Sequence, residues 1–230
     1  STHCISSAAS DVYKRQVFII MRDFEQETCI ILMLWAIAII SMKTQHALRE
    51  RALLDRTLIQ LQDGVSILPE DSRNYSRPVQ ALSSKEREFL LPRALLAGLH
   101  RFQSTENIQA VSSIVKDTCE TEADRMETEL TIVRYIAWAI PSIGFLGTVR
   151  GIGTALGQAY QAVSGDIVGV TQSLGVAFNS TFVALVVSIL LMFLLHQLQL
   201  LQDRLVLDCQ NYCDARLIRH MQVPEKNEKS

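Results

Sequence analysis

Apolar positions are unevenly spread along the chain. They gather in three stretches, roughly 28–42, 135–156 and 174–195, while residues 43–130 are an ordinary mixture of charged and apolar side chains. The second and third stretches, Tyr135 to Leu156 and Leu174 to Leu195, have 22 residues each. About 20 apolar residues of helix cross a ~30 Å hydrocarbon core, so both are predicted transmembrane helices. The first stretch, TCIILMLWAIAIISM from Thr28 to Met42, has only 15 residues. Alone it also fits a buried helix of a soluble core; it becomes a span once its flanks are counted and Lys43 snorkels at one end.

The spans are predicted to continue as helices into the polar region. Ser83 and Glu86 have capping-box spacing ahead of EREFLLPRALLAGLHRF, where Pro92 kinks or offsets the helix. Asp63 to Gln80, DGVSILPEDSRNYSRPVQ, is expected to be loop from its Gly, Pro, Asn and Ser content. Ser104 is a candidate cap for a helix whose apolar positions Ile108, Val111, Val115, Cys119, Met126, Leu130 and Val133 keep to helical spacing. No breaker separates that helix from the second span. Beyond the third span, Leu198, Leu201, Leu205, Cys209 and Tyr212 continue the pattern. The expected fold is therefore an all-α membrane protein with three transmembrane helices and long helical cytoplasmic extensions. Two of its helices, antiparallel and of about 50 residues, would each be ~75 Å long.

Basic residues set the direction, because cytoplasmic flanks of spans collect Lys and Arg. Lys43, Arg49, Arg51 and Arg56 follow the first span, Arg125 and Arg134 precede the second, and Arg204, Arg216 and Arg219 follow the third. The connection 157–173 has no Lys or Arg. The N-terminus and that connection are expected outside, with 43–130 and the C-terminus in the cytoplasm of a bacterial inner membrane. The expected segments are thus 17–42 with the first span, 43–130 as a helical cytoplasmic region, 131–201 with the other two spans, and 202–230 as a cytoplasmic tail. Residues 1–16, STHCISSAASDVYKRQ, share no pattern with the rest and resemble a non-native junction, with Met21 a candidate start.

Composition narrows the chemistry. With 48% hydrophobic residues and a net charge of −2, the chain is matched neither to disorder nor to nucleic-acid binding. Cys4, Cys29, Cys119, Cys209 and Cys213 lack paired or zinc-like spacing, so reduced thiols are expected and no metal or other cofactor is. No catalytic triad or phosphate loop appears, and His100 and His196 stand alone; the chain is not expected to be an enzyme.

Polar residues inside spans are costly and mark function. The second span carries Ser142, Thr148, Arg150 and Thr154, and the third Asn179, Ser180, Thr181 and Ser188; neither has Asp, Glu, Lys or His in its interior. Thr148 lies 13 residues beyond Tyr135 and Thr181 lies 14 before Leu195, which is ~20 and ~21 Å of helix. In antiparallel helices both hydroxyls come to one depth. Each sits on a face of small residues, Gly144, Thr148, Gly151 and Ala155 opposite Ala177, Thr181, Ala184 and Ser188, which permits close approach or a narrow cavity. A plainer reading makes Gly147–Gly151 and Gly153–Gly157 simple GxxxG packing contacts. Arg150 needs a partner near the outer interface: Asn179 and Asp166 are the candidates.

IPSIGFLGTVRGI (Ile140 to Ile152) and SLGVAFNSTFVALVVSILLMFLL (Ser173 to Leu195) together resemble the MotA/TolQ/ExbB proton channel family over about residues 105–215. Three spans with a large first cytoplasmic loop resemble the TolQ and ExbB branch more than the four-span MotA branch. The resemblance implies a pentamer around a single-span partner of the ExbD, TolR or MotB kind, whose membrane aspartate meets hydroxyls matching Thr148 and Thr181. It implies a stator that couples proton-motive force to mechanical work on the cell envelope. Two positions depart from the pattern: Val176 stands where many ExbB and TolQ members have an acid, and Arg150 replaces an apolar or tryptophan residue. The rivals are a scaffolding membrane protein without ion conduction and a solute transporter, the latter disfavoured by three spans without an inverted repeat.

Overall fold

Long apolar runs without breakers propagate helix, and in the computed structural model they do so throughout. It describes residues 24–54, 58, 67–163 and 167–223. The expectations for residues 1–16 and for Asp166 lie outside these. Helix α1 is Phe24–Leu54, with Glu25 and Glu27 in its first turn, where negative charge suits the helix dipole. After a single 3₁₀ turn at Pro69–Asp71 come α2 (Ser72–Gln80), α3 (Ser84–Arg87), α4 (Leu90–Thr105), α5 (Ile108–Gly157), α6 (Ala159–Val163) and α7 (Val168–Arg216). A second 3₁₀ turn occupies Ile218–His220. There is no strand among the described residues, only one isolated bridge between Ile67 and Met221. Helices α1, α5 and α7 are each long and apolar enough to cross a membrane. Their apolar cores are the stretches 28–42, 135–156 and 174–195.

The chain divides into two compact units. One comprises the chain up to Ser41 and Thr131–His196; the other comprises Met42–Leu130 and the chain from Gln197. In the first, Ala36, Ala137, Ala177 and Ala184 are almost inaccessible, as are Ile140 and Leu191, while Trp138 is 71% and Phe145 64% exposed. Helices α5 and α7 run antiparallel here. A methyl on Gly144 would overlap Ala184, and one on Gly151 would stand 2.5 Å from the Ala177 Cβ, so only glycine allows this separation. Gly147 faces Ser180, but Gly153 and Gly157 face open space. Of the two GxxxG pairs, only Gly147–Gly151 is therefore a contact between described residues.

Pro141 sits inside α5 without breaking it. Its missing N–H would leave the Ala137 carbonyl, four residues earlier, without a helical partner. The Ser188 hydroxyl of α7 donates to that oxygen at 2.9 Å, the kind of substitution that makes proline tolerable in apolar surroundings. Helix α1 is tied to the same region by the Cys29 thiol, 3.7 Å from the Ile140 carbonyl oxygen.

The second unit has a conventional core. Phe102, Leu95 and Leu99 of α4, Val111 and Val115 of α5, and Leu217 beyond α7 are fully buried together. Three local expectations are corrected here. Ser72–Gln80 is helix rather than loop: Val79 is fully buried and Tyr75 packs on the same core, so burial of one face against α4 overrides a loop-like composition. The capping box of Ser83 and Glu86 is present but caps only α3. The chain then restarts helix after Phe89, which puts Pro92 in the first turn of α4, where a missing N–H costs nothing. Ser104 is not a cap; it lies inside α4 with its hydroxyl donated to the Arg101 carbonyl. Glu106 adopts the left-handed conformation (φ 51°) that ends α4, and Asn107 Oδ1 accepts from the N–H groups of Gln109 and Ala110, capping α5.

The other described thiols lie in this unit. Cys119, Cys209 and Cys213 are buried and free, and hydrogen bonding to Cys209 together with burial pushes the Cys119 thiol up. Such thiols are poor nucleophiles.

Candidate functional site

The small-residue face of α5 meets that of α7 through the contacts just described, which brings Thr148 and Thr181 side by side. Thr181 donates to the Gly144 carbonyl at 2.9 Å. Thr148 reaches both the Gly144 carbonyl at 3.3 Å and the Ala177 carbonyl at 3.2 Å, and the two hydroxyls are hydrogen-bonded to each other. Each hydroxyl has one proton and two lone pairs. If Thr181 gives its proton to Gly144, Thr148 donates to Thr181; if Thr148 donates to Ala177, Thr181 can donate to Thr148. The pair can thus reverse its polarity in place. It cannot carry net charge alone, so charge transfer at this level needs a titratable group from elsewhere.

The other small residues predicted for this face fall around the pair. Gly144, Ala155, Ala177 and Ala184 are buried, Gly151 and Ser188 half-buried. Ser188 has the structural duty at Ala137 described above. Asn179 is half-buried on α7.

Arg150 has a partner that neither pattern nor motif pointed to. Its guanidinium lies 2.7 Å from the carboxylate of Glu25, the second residue of α1, whose side chain is only 13% exposed. The pair borders a cavity of about 410 Å³, lined also by Thr154, Gln158, Gln172 and Ser173, with Gly147, Gly151 and Ser180 at its α5–α7 seam. The Ser173 hydroxyl lies 3.3 Å from the Gln158 side-chain oxygen across this space. The only sequence signal for Glu25 was its position just before the first apolar run. Its pairing with Arg150, 125 residues away by the difference of their numbers, is a product of folding.

A second polar cluster lies wholly within the other unit. Lys43 and Arg125 both pair with Glu129, Arg125 also approaches Glu122 at 3.5 Å, and Arg93 holds Glu122 at 2.7 Å. Lys43 therefore has a protein partner rather than only an interface to snorkel to. Glu50 of α1, eight positions past the end of the first apolar stretch, is 4% exposed, with His46 Nδ1 3.6 Å away. Burial, then the neighbouring Glu122 carboxylate, push its carboxyl up to about 7, against the opposing pull of Arg125 and Arg93. No group of three or more metal-ligating side chains occurs among the described residues.

Three helices able to cross a membrane, two of them packed through glycine and alanine around a half-buried hydroxyl pair, define a multi-pass helical membrane protein with a polar seam. The model of the MotA/TolQ/ExbB proton channel family matches residues 86–211. That is more than half of the chain, which belongs to this family, and its general role is that of a membrane proton channel. No curated protein and no solved structure matches the chain.

Proposed function

We propose that the chain is the stator subunit of a TolQ/ExbB-like motor, assembled as a pentamer around a single-span partner that supplies a membrane aspartate. The observation that carries this reading is the Thr148–Thr181 pair: a reversible hydroxyl relay with no acid of its own in the interior of α5 or α7 at that depth. A carboxyl on a partner helix would complete it, with protons crossing as the carboxyl passes the hydroxyls and the partner moves relative to the ring. The long polar segment between the first and second apolar stretches supports the TolQ/ExbB branch over the MotA branch. The charge distribution supports an inner-membrane orientation with the N-terminus and the 157–173 connection outside and the C-terminus in the cytoplasm. The proton-motive force would be converted into work on the cell envelope.

The test is proton flux into vesicles containing the chain co-expressed with a neighbouring gene product of one aspartate-bearing span. Thr148→Ala with Thr181→Ala should abolish flux while membrane insertion and oligomer mass by native mass spectrometry stay unchanged. Normal flux in the double variant would overturn the relay, and a monomer or dimer by mass would overturn the pentamer.

A further inference from the structure

The Glu25–Arg150 pair and its cavity are not needed by the hydroxyl relay, yet they line the same seam. Gly147 and Gly151, which border the cavity, flank Thr148 on α5, and Ser180, which also borders it, precedes Thr181 on α7. Gly151, one turn beyond Thr148 on the same face of α5, brings the cavity wall to the edge of the relay. Its lining is suited to water, with two side-chain amides and several hydroxyls, and it is roomy enough to hold several molecules. Arginine carries a fixed positive charge. Uncompensated on the wall of this half-open cavity, where the Arg150 side chain is 55% exposed, it would disfavour an approaching cation, though less than a desolvated charge would. The Glu25 carboxylate 2.7 Å away cancels that charge.

Resting on the reading that this unit conducts protons, we propose that the cavity is the water-filled entrance to the Thr148–Thr181 relay and that Glu25 is the selectivity-determining residue, holding it open to cations by neutralising Arg150. The chain therefore supplies an acid of its own, at the mouth of the path rather than at its centre. The Arg150 departure from the family pattern and Glu25 form one device, a charge pair on the wall of the entrance.

Gln172, on the exposed side of the cavity, reports its electrostatics independently of flux. In full-length chain bearing Gln172→Cys, with the chain lacking that substitution as background because its described cysteines are buried, membrane-impermeant thiol reagents of opposite charge are applied to intact cells and to inverted vesicles. Labelling from the side of the 157–173 connection is expected. Adding Glu25→Gln should shift the cationic-to-anionic rate ratio toward the anionic reagent by about tenfold, and Arg150→Gln should shift it the other way. With the partner present, Glu25→Gln should lower proton flux by about tenfold, Arg150→Gln should leave it at or above the wild-type level, and the combined variant should restore it.

A merely structural staple would slow or speed both reagents together and would cost flux in Arg150→Gln as well; either result overturns the proposal. So does a Gln172→Cys chain that takes up neither reagent beyond the background, which would mean a dry cavity. Absence of flux from the wild-type chain with every partner would sink the motor reading, while the labelling ratios would still report on the cavity.

Discussion

The hydroxyl seam of the first unit and the core of the second obey opposite packing rules. Around Thr148 and Thr181 the inside is made of Gly and Ala, and the large side chains Trp138, Phe145, Phe178 and Phe182 point outward. Around Phe102 the inside is made mainly of Leu, Val and other large apolar side chains. Lipid chains are as apolar as leucine, so burying leucine against another helix gains nothing there; close backbone approach and interhelical hydrogen bonds hold the helices instead. In water, removal of large apolar side chains from solvent is the driving force. The same chain, often the same helix, follows whichever solvent surrounds it.

The sharpest way to break this comparison is to delete one ring in each unit. Phe102→Ala should cost about 3–5 kcal/mol of stability, read by denaturant unfolding of the full chain in detergent micelles. Phe145→Ala, 64% exposed, should cost less than about 0.5 kcal/mol. A cost like that of Phe102 would show that Phe145 is covered by another protein surface.

Next in size is the buried acid of the second unit. Glu50 has its carboxyl raised from its ordinary 4.5 to about 7 in the folded chain, so the folded state holds this proton more tightly than the unfolded one. Its contribution is fully present below about pH 4.5 and is lost as pH rises through about 7, a loss on the order of 3 kcal/mol. Glu50→Gln should flatten the stability profile between pH 5 and 8 by a comparable amount. An unchanged profile would mean that Glu50 is ionised throughout, held by Arg93 and Arg125.

Gly144→Val should cost about 1–3 kcal/mol through overlap with Ala184 and should lower proton flux by separating Thr148 from Thr181. If it does neither, the close contact is not what sets the seam. A smaller effect than that of Gly144→Val belongs to Ser188→Ala, which leaves the Ala137 carbonyl without its donor and should cost about 1–2 kcal/mol. Pro141→Ala should erase that cost by returning the backbone N–H of residue 141, a coupling that a double-mutant cycle in thermal stability measures.

The long helices were legible because uninterrupted apolar periodicity determines them locally. The level meeting of Thr148 and Thr181 was legible too: once two helices are antiparallel, equal counts from their ends fix equal depth. Local chemistry went astray where tertiary burial competed with it. Val79 and Tyr75 turned a loop-like composition into α2, and Asn107, not Ser104, was the side chain whose position satisfied free N–H groups at the start of α5.

The sequence alone determined the three spans, their antiparallel succession, the small-residue face and the hydroxyl depth, since each follows from helical geometry and the length of apolar runs. Only the tertiary structure decided that Ser188 repairs the carbonyl freed by Pro141, that Glu25 meets Arg150 at a polar cavity, and that Glu50 lies buried beside Glu122. Those pairings join residues far apart in the chain, and no period within a helix encodes which distant side chain will satisfy a given charge.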